Sequence, residues 1–297
     1  MRFSGHDTFI VRTFWLKKGY DFLKNGGSFS SDDAVIHLGV GKNMVSAINF
    51  WMKAFDLIDE TKNTPKPIAK FIFDEKGADP FLEDIGTIWL LHYLLVKSNY
   101  SSIYSLVFNE LRKERSVFTK RQLLSFIKRK FAENRDDSFN QNTVEKDISV
   151  LDRMYKKVDY KDVSKDFEEE ISSLMIDLGL LSFSVEEEIK EGSTKPEKVV
   201  WYHLYGQNRP SLPPEIVLFS ILDNFKDSKI ISFKRLEIEP NSPGMVFLLN
   251  RDALYNILKY LETNLPGIVL SETAGNLVLV IPEGLDSLEI LKNYYAN

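Results

Sequence analysis

Three residues near the start of the sequence have side chains that suit phosphodiester chemistry. His6 and Asp7 are adjacent, and Arg12 follows in the same short stretch. A histidine beside a carboxylate can act as a general base, and an arginine can hold a phosphate through two parallel hydrogen bonds. The pattern favours phosphodiester cleavage or tight phosphate binding, with these three residues as catalytic candidates. The alternative is that His6 and Arg12 only tie the N-terminal segment to the core.

A second candidate is an acidic cluster formed by Asp79, Glu83 and Asp84. Carboxylates at this spacing can hold Mg²⁺, which would activate a water molecule against a phosphodiester. Helix capping explains Asp79 and Asp84 without any metal, and this alternative stays open. The chain has no cysteine, which excludes disulfides and thiolate zinc sites. No cofactor is required by the sequence, and Mg²⁺ is expected only if the protein is a nuclease.

The elements that would position these groups are organised around residues 31–58. Residues 38–45 have the spacing of a helix-turn-helix, with Gly39 at the turn, where glycine allows a positive φ. Apolar residues then recur every three or four positions and predict one buried helical stripe. The stripe consists of Val45, Ile48, Met52 and Phe55. Residues 57–58 and 68–73 are predicted as the two strands of a wing, which would complete a winged helix.

The opposite face of the second helix carries amide, hydroxyl and ammonium groups. These are donors suited to base edges and phosphates, so we predict double-stranded DNA as the ligand of this face. The predicted DNA-binding residues are Lys42, Asn43, Ser46, Asn49 and Lys53. The alternative is a protein-docking module, because winged helices also serve in that role.

Residues 101–165 have the pattern of a basic helical module. Thr119 is predicted to cap a helix that runs to about Phe131, and a second helix follows Asn140. The pair is typical of a degenerate helix-turn-helix, and the alternative is a helical hairpin with a solvated charged surface. The cations expected to contact phosphates are Lys128, Arg129, Lys130, Arg153 and Lys157.

The remaining chain predicts a third winged-helix-like domain. The predicted helices are 171–181, 215–225, a helix near Phe233, and 251–263. The predicted strands are 199–205, 245–249, 267–271 and 276–281, and a charged hairpin or loop is predicted at 186–198. The last two strands form a hairpin at the position of a wing.

Charge is distributed unevenly along the chain. The net charge is −5 overall, but it is positive over 1–70 and 101–165 and strongly negative over 166–297. We therefore predict that DNA contacts lie in the first 165 residues and that the acidic remainder meets another protein. The alternative for the remainder is an acidic surface that only maintains solubility.

These patterns predict a mainly α fold with small β wings (α+β), built from tandem winged-helix or helix-turn-helix-like domains. The predicted domains are an N-terminal winged helix (1–100), a basic helical module (101–165) and an acidic interaction domain (166–297). There is no signal-peptide pattern, and no apolar run is long enough to span a bilayer. A cytoplasmic protein without a membrane partner is expected.

Three blocks of the sequence are similar to a bacterial family classified as a domain of unknown function. The blocks are residues 2–9 with Arg12 and 15–16, residues 38–45 with Trp51, and residues 79–84 with 86–87 and 89–92, while residues 212–216 match more loosely. Asp7 stands where the family more often has Glu, and Ile85 replaces a usual Pro. The family resembles the SspB-type component of single-strand DNA phosphorothioation systems.

This resemblance implies a DNA-binding and DNA-nicking role in placing sulfur on the DNA backbone, within an anti-phage defence system. The partners that it implies are a cysteine desulfurase, an ATPase and an ATP-pyrophosphatase similar to phosphoadenosine-phosphosulfate reductases. A homodimer is compatible with this role. The alternative function is a non-enzymatic winged-helix transcriptional regulator or recruitment scaffold, which would use the same DNA face without chemistry.

Overall fold

The structure is a computed structural model that describes residues 1–156, 173–189, 196–273 and 275–296. It contains about 51% helix and 13% strand, in small antiparallel sheets, which confirms the α+β class. The chain forms two compact units, one of Met1–Ala54 with Asn99–Tyr205 and one of Phe55–Ser98 with Gly206–Asn297. The division at residues 100 and 165 stays a prediction. None of the described helices is long and apolar enough to cross a membrane.

The elements are numbered here in chain order. The helices are α1 (Trp15–Lys24), α2 (Ala34–Leu38), α3 (Lys42–Ala54), α4 (Pro67–Phe73), α5 (Ile85–Ser98), α6 (Ser102–Ser105, continuing as a π-helix over Leu106–Leu111 and ending with Arg112–Glu114), α7 (Lys120–Glu133), α8 (Gln141–Tyr155), α9 (Pro214–Asn224), α10 (Phe233–Ile238), α11 (Pro243–Val246), α12 (Arg251–Asn264) and α13 (Ser287–Ala296). The strands are β1 (Val117–Thr119), β2 (Ser182–Ile189), β3 (Pro196–His203), β4 (Ile230–Ser232), β5 (Val269–Thr273) and β6 (Asn276–Val280).

The first unit opens with three helices, α1 to α3, around a glycine turn. Gly39 ends α2 with φ at 62°, in the left-handed region, so the chain can change direction before α3. The stripe predicted from the apolar spacing is confirmed, because Val45, Ile48, Met52 and Phe55 are all buried. This burial leaves the polar side of α3 as its outer surface.

The rest of the first unit comprises α6, β1, α7, α8 and a β2–β3 hairpin. Thr119 accepts the backbone N–H of Gln122, and the Gln122 side chain accepts the backbone N–H of Thr119, so the predicted cap of α7 is confirmed. Asn140 caps α8 in a similar way through the N–H of Thr143. In the sheet, β3 lies between β1 and β2 and is antiparallel to both.

The second unit contains α4, α5, helices α9 to α13 and the sheet of β4 to β6. Helix α5 is buried along its length from Gly86 to Val96, as expected for a helix that is apolar on every side. In the sheet, β6 lies between β4 and β5. The predicted hairpin of β5 and β6 is confirmed.

The two sheets share one connectivity. In each unit a three-residue strand, β1 or β4, runs directly into a helix. Among the described residues, one further α-helix, α8, follows in the first unit, and two, α11 and α12, follow in the second. A hairpin comes next in each unit, and its second strand lies in the middle of the sheet. A similar local order is therefore present in two separate stretches of the chain.

Two predicted strands are wrong. Residues 68–73 form most of α4, and the predicted strand at 245–249 begins inside α11. Pro67 and Pro243 stand in the first turn of these helices, where the fixed φ of proline favours a helix and its missing N–H costs nothing. The predicted N-terminal wing reduces to one bridge between Ile58 and Pro65.

Other predictions lie partly outside the described residues. The described part of the predicted helix at 171–181 contains a 3₁₀ turn, Ile176–Leu178. The predicted loop at 186–198 coincides with the ends of β2 and β3, and residues 190–195 between them lie outside the described residues. Strand β3 begins at Pro196, three residues earlier than predicted.

Candidate nucleic-acid interface

Helix α3 carries the first predicted DNA-binding face. Lys42, Asn43 and Ser46 are exposed, whereas Asn49 and Lys53 are half-buried. The exposed three lie in the first turns of the helix, where the unpaired backbone N–H groups and the helix dipole favour an anion. The amino-terminal half of α3 is therefore its most accessible polar surface.

Two of these amides have distinctive surroundings. The Asn43 Nδ2 donates to Asp7 Oδ2 at 3.4 Å, which places the predicted catalytic carboxylate beside the predicted DNA-binding face. The Oδ1 of Asn49 is shielded from solvent and has no hydrogen-bond partner among the described residues. The Asn43 amide is therefore bonded to a carboxylate, whereas the side-chain oxygen of Asn49 is a shielded acceptor without a hydrogen bond among the described residues.

His6 lies in the interior of the first unit, with 1% of its surface exposed. Its Nε2 is 3.3 Å from Oδ1 of Asp147, and its ring stacks on Trp51 with the ring centroids 5.3 Å apart. Its Nδ1 lies 3.1 Å from the backbone oxygen of Asp7. The carboxylate partner of His6 is therefore Asp147 of α8, not the neighbouring Asp7, and the buried ring has no access to a DNA phosphate in this arrangement.

The segment that carries His6, residues 3–9, forms a tight N-terminal loop. Ser4, Gly5 and Asp7 all have positive φ, at 67°, 107° and 55°. A Cβ on Gly5 would lie 2.6 Å from Cδ2 of Phe50, so both the backbone angle and the space require glycine. This geometry turns the His6 side chain inward and leaves Asp7 on the surface.

The N-terminal loop is bonded to both α3 and α8. Both carboxylate oxygens of Asp147 lie 3.1 Å from the Ser4 backbone N–H, which donates to them. The Trp51 indole N–H donates to the Phe9 carbonyl at 3.1 Å, and the Arg153 guanidinium donates to the Thr8 carbonyl. Arg153, which was predicted to contact phosphate, is thereby part of this connection.

Arg12 is separated from His6 in its contacts. Its guanidinium carbon lies 5.4 Å from the centre of the Trp15 ring, and its backbone forms a bridge to Ser173. Among these contacts, Arg12 does not meet His6. The catalytic role of His6, Asp7 and Arg12 stays a prediction.

The predicted cations of α7 are mostly neutralised. Arg129 donates to both carboxylate oxygens of Glu114, at 2.8 and 2.6 Å, and this hydrogen bonding raises the pKa of the guanidinium. Lys130 lies 2.8 Å from a carboxylate oxygen of Glu110 and equally close to one of Glu133. Lys128 is exposed and lies 6.0 Å from the centre of the Phe139 ring. Lys157 lies outside the described residues.

The acidic cluster of the second unit serves as a set of caps. The two oxygens of Asp79 accept the backbone N–H groups of Glu83 and Asp84 at 2.9 and 3.0 Å. Asp84 accepts the N–H of Gly86 at the start of α5 and the hydroxyl of Tyr294. Burial first, and then the bond to Asp84, raise the pKa of that tyrosine.

This arrangement does not fit a magnesium site. Mg²⁺ is held by several oxygens that converge in near-octahedral geometry. Asp79 instead directs its oxygens to the backbone N–H groups of its own loop, and Asp84 directs its oxygens to Gly86 and Tyr294. Across the described ranges, no group of three or more acidic, histidine or cysteine side chains is placed to hold a metal ion. The capping alternative explains both aspartates.

Comparison with known proteins decides the family. A family model described as "Protein of unknown function (DUF4007)" matches residues 3–295. The chain belongs to this family. No match is found among curated protein sequences.

Two solved structures are similar to this DUF4007 member. One, described as "Magnesium ion-bound SspB crystal structure", is 29% identical with a TM-score of 0.82, and the match covers 99% of this chain and 88% of that one. The other, described as "SspB crystal structure", is 28% identical with the same TM-score and coverage. The resemblance to an SspB-like family that the sequence indicated is therefore confirmed.

Two features of the first unit were missed by the sequence reasoning. Asp147 occupies a position on α8 between the buried Val144 and Leu151, so an acid on an apolar stripe was an available signal for a buried partner. The other feature is an open groove of about 1100 Å³ on the surface formed by α7 and β3. No sequence signal marked this groove, because its walls come from segments that are far apart in the chain.

Proposed function

We propose that this protein is the DNA-binding component of a DNA phosphorothioation system and that duplex DNA binds at α3. The observation that carries the proposal is the exposed polar surface of Lys42, Asn43 and Ser46, directly after the glycine turn. Amide, hydroxyl and ammonium groups at the start of a helix suit both base edges and phosphates. The likeness to SspB supports the link to phosphorothioation.

The proposal includes a winged-helix arrangement in both units. The order expected of this fold is a helix, a short strand, two helices and a hairpin, with the second hairpin strand in the centre of the sheet. The described part of the first unit has this order, and the second unit has it with the four-residue helix α11 added between α10 and α12. In the first unit α8 would then be a second recognition helix. Asn142, Lys146 and Ser149 form its exposed stripe, and they replace the neutralised cations of α7 as candidate contacts.

The acidic region 166–297 is proposed as the surface for a partner protein of the system, an ATP-pyrophosphatase-like or ATPase component. Its excess of carboxylates would be repelled by phosphates, which favours a protein partner over DNA. The proposal assigns no cleavage step, since His6 is buried and the acids of the second unit serve as caps.

Duplex binding and its salt dependence test the proposal. We expect Lys42→Ala combined with Lys53→Ala to weaken binding of a labelled duplex in fluorescence anisotropy. Because each lysine–phosphate contact contributes about 0.9 to the slope of log affinity against log salt, the slope should flatten by about one to two.

Lys226→Ala combined with Lys229→Ala is the matched control. It removes the same charge from exposed positions of the second unit, each paired there with an acid. The control should leave both the affinity and the slope unchanged. An unchanged slope in the α3 variant would refute contact between α3 and phosphate, and equal losses in both variants would show a general charge effect.

A further inference from the structure

The open groove of the first unit is separate from the polar face of α3. Its walls are the amino-terminal half of α7, the residues before β1, the carboxyl end of α8 and the strand β3. Its volume of about 1100 Å³ is slightly above the range of about 300–1,000 Å³ for small-ligand pockets. A groove of this size accommodates a short run of nucleotides rather than the body of a duplex.

Four cations line the groove without a carboxylate partner among the described residues. They are Arg115, Arg121, Lys156 and Lys198. Lys156 lies 4.4 Å from the centre of the Phe183 ring, which fixes its ammonium by a cation–π contact. The other two cations of the groove form ion pairs, Lys120 with Asp152 and Arg129 with Glu114.

The groove also contains acids at one end. Glu188 and Glu197 lie directly opposite each other on β2 and β3. Like charges in this position repel each other and would repel a phosphate. A polyanion would therefore follow the α7 side, past Arg121, rather than the end of the hairpin.

An aromatic ring with an unused donor lies in the same groove. Trp201 is half-buried, and its indole N–H is shielded from solvent without a hydrogen-bond partner among the described residues. The other three tryptophans, Trp15, Trp51 and Trp89, are buried. Trp201 is therefore the tryptophan whose half-buried ring a ligand in the groove can stack on.

The backbone of β3 is also accessible on this side. Strand β1 pairs with β3 only as far as the Thr119–Trp201 register pair, because the chain enters α7 at Lys120. From 196 to 200, within the described part of the chain, β3 has a strand neighbour only on its β2 side. An edge of this kind offers backbone donors and acceptors to a ligand.

We propose that this groove binds a single strand of DNA. Non-specific single-strand sites combine a positively charged groove with aromatic rings on which bases stack, and both are present here. The inference rests on the proposed function, since it names a second form of DNA that the same protein holds. Unpaired cations beside a half-buried indole favour a nucleic-acid strand over a peptide strand at the β3 edge.

Anisotropy with a labelled oligothymidylate of about 12 nucleotides tests the groove directly. Arg115→Ala combined with Arg121→Ala, both on the α7 side of the groove, should lower its affinity about tenfold. It should also flatten the slope of log affinity against log salt by about 1.4, since each cation contributes about 0.7. Both residues are exposed, so the variant should fold. Duplex binding should change less than about twofold, and Lys226→Ala with Lys229→Ala should affect neither ligand.

Tryptophan fluorescence gives a second readout. Oligothymidylate should quench the emission of the intact protein and should not quench that of Trp201→Phe. Polyglutamate of matched charge should neither quench nor displace the DNA, and equal displacement would show that the groove binds acidic peptides instead. If the intact protein binds the duplex but not oligothymidylate, the groove proposal is overturned and the proposed function stands. If it binds neither, the proposed function is overturned as well.

Discussion

Replacing Asp147 with alanine tests whether its buried contacts hold the N-terminal loop in place. The change removes the carboxylate beside His6 Nε2 and the acceptors of the Ser4 N–H. A buried polar group left without its hydrogen-bond partner costs about 1–3 kcal/mol. With two such groups affected, we expect the free energy of unfolding of the first unit to fall by about 2–6 kcal/mol.

Urea denaturation followed by tryptophan emission measures this loss, because the Trp51 ring stacks on His6. Asp21→Ala is the control, since Asp21 forms a surface pair with Lys17 on α1 and should cost at most about 0.5 kcal/mol. A double-mutant cycle with His6→Ala should give a coupling energy of about 0.5–3 kcal/mol. A loss below about 1 kcal/mol, or no coupling, would refute the role given to this contact.

Two further changes probe single positions, Gly5 in the N-terminal loop and the buried His92 of α5. In thermal denaturation, Gly5→Ala should destabilise the protein by about 1–3 kcal/mol. Gly26→Ala is the control, because Gly26 also has a positive φ but a Cβ there would meet no atom within 4 Å, and it should destabilise less. Equal effects of the two variants would contradict the contact with Phe50. Burial lowers the pKa of His92 to about 3, although a hydrogen bond to the Val246 carbonyl acts to raise it. As the pH falls, this histidine therefore takes up a proton in the unfolded chain before it does so in the folded protein. The free energy of unfolding should fall as the pH drops below 6.5, and at pH 5 it should be about 2 kcal/mol lower than at neutral pH. Urea titrations at neutral pH and at pH 5 measure this loss, and His92→Gln should remove it.

Local sequence signals predicted the helices well. The stripe of α3, the glycine at its turn and the cap at Thr119 depend on residues within a few positions of one another. The same local reasoning failed for 68–73 and 245–249, because runs of apolar residues this short suit a strand or a helix equally. Pro67 and Pro243 were the signals that should have decided these two cases.

The candidate site was harder to predict, because its contacts join distant residues. Adjacency in the sequence predicts that His6 pairs with Asp7, whereas the chain folds α8 back to provide Asp147. The basic pattern predicts a phosphate contact for Lys130, yet Glu110 on α6 lies against it. Sequence composition reports how many charges a segment has, but only the fold reports which of them remain unpaired.

The N-terminal loop determines how the first unit would meet a long ligand. Since one short loop is bonded to α3 through Phe9 and to α8 through Ser4 and Thr8, the two helices cannot swing independently. A duplex that contacts both would therefore encounter them at one separation along its axis. Under the proposed function, lengthening this loop by one residue would change the separation at which the two helices meet a duplex, without altering any side chain that is proposed to contact DNA.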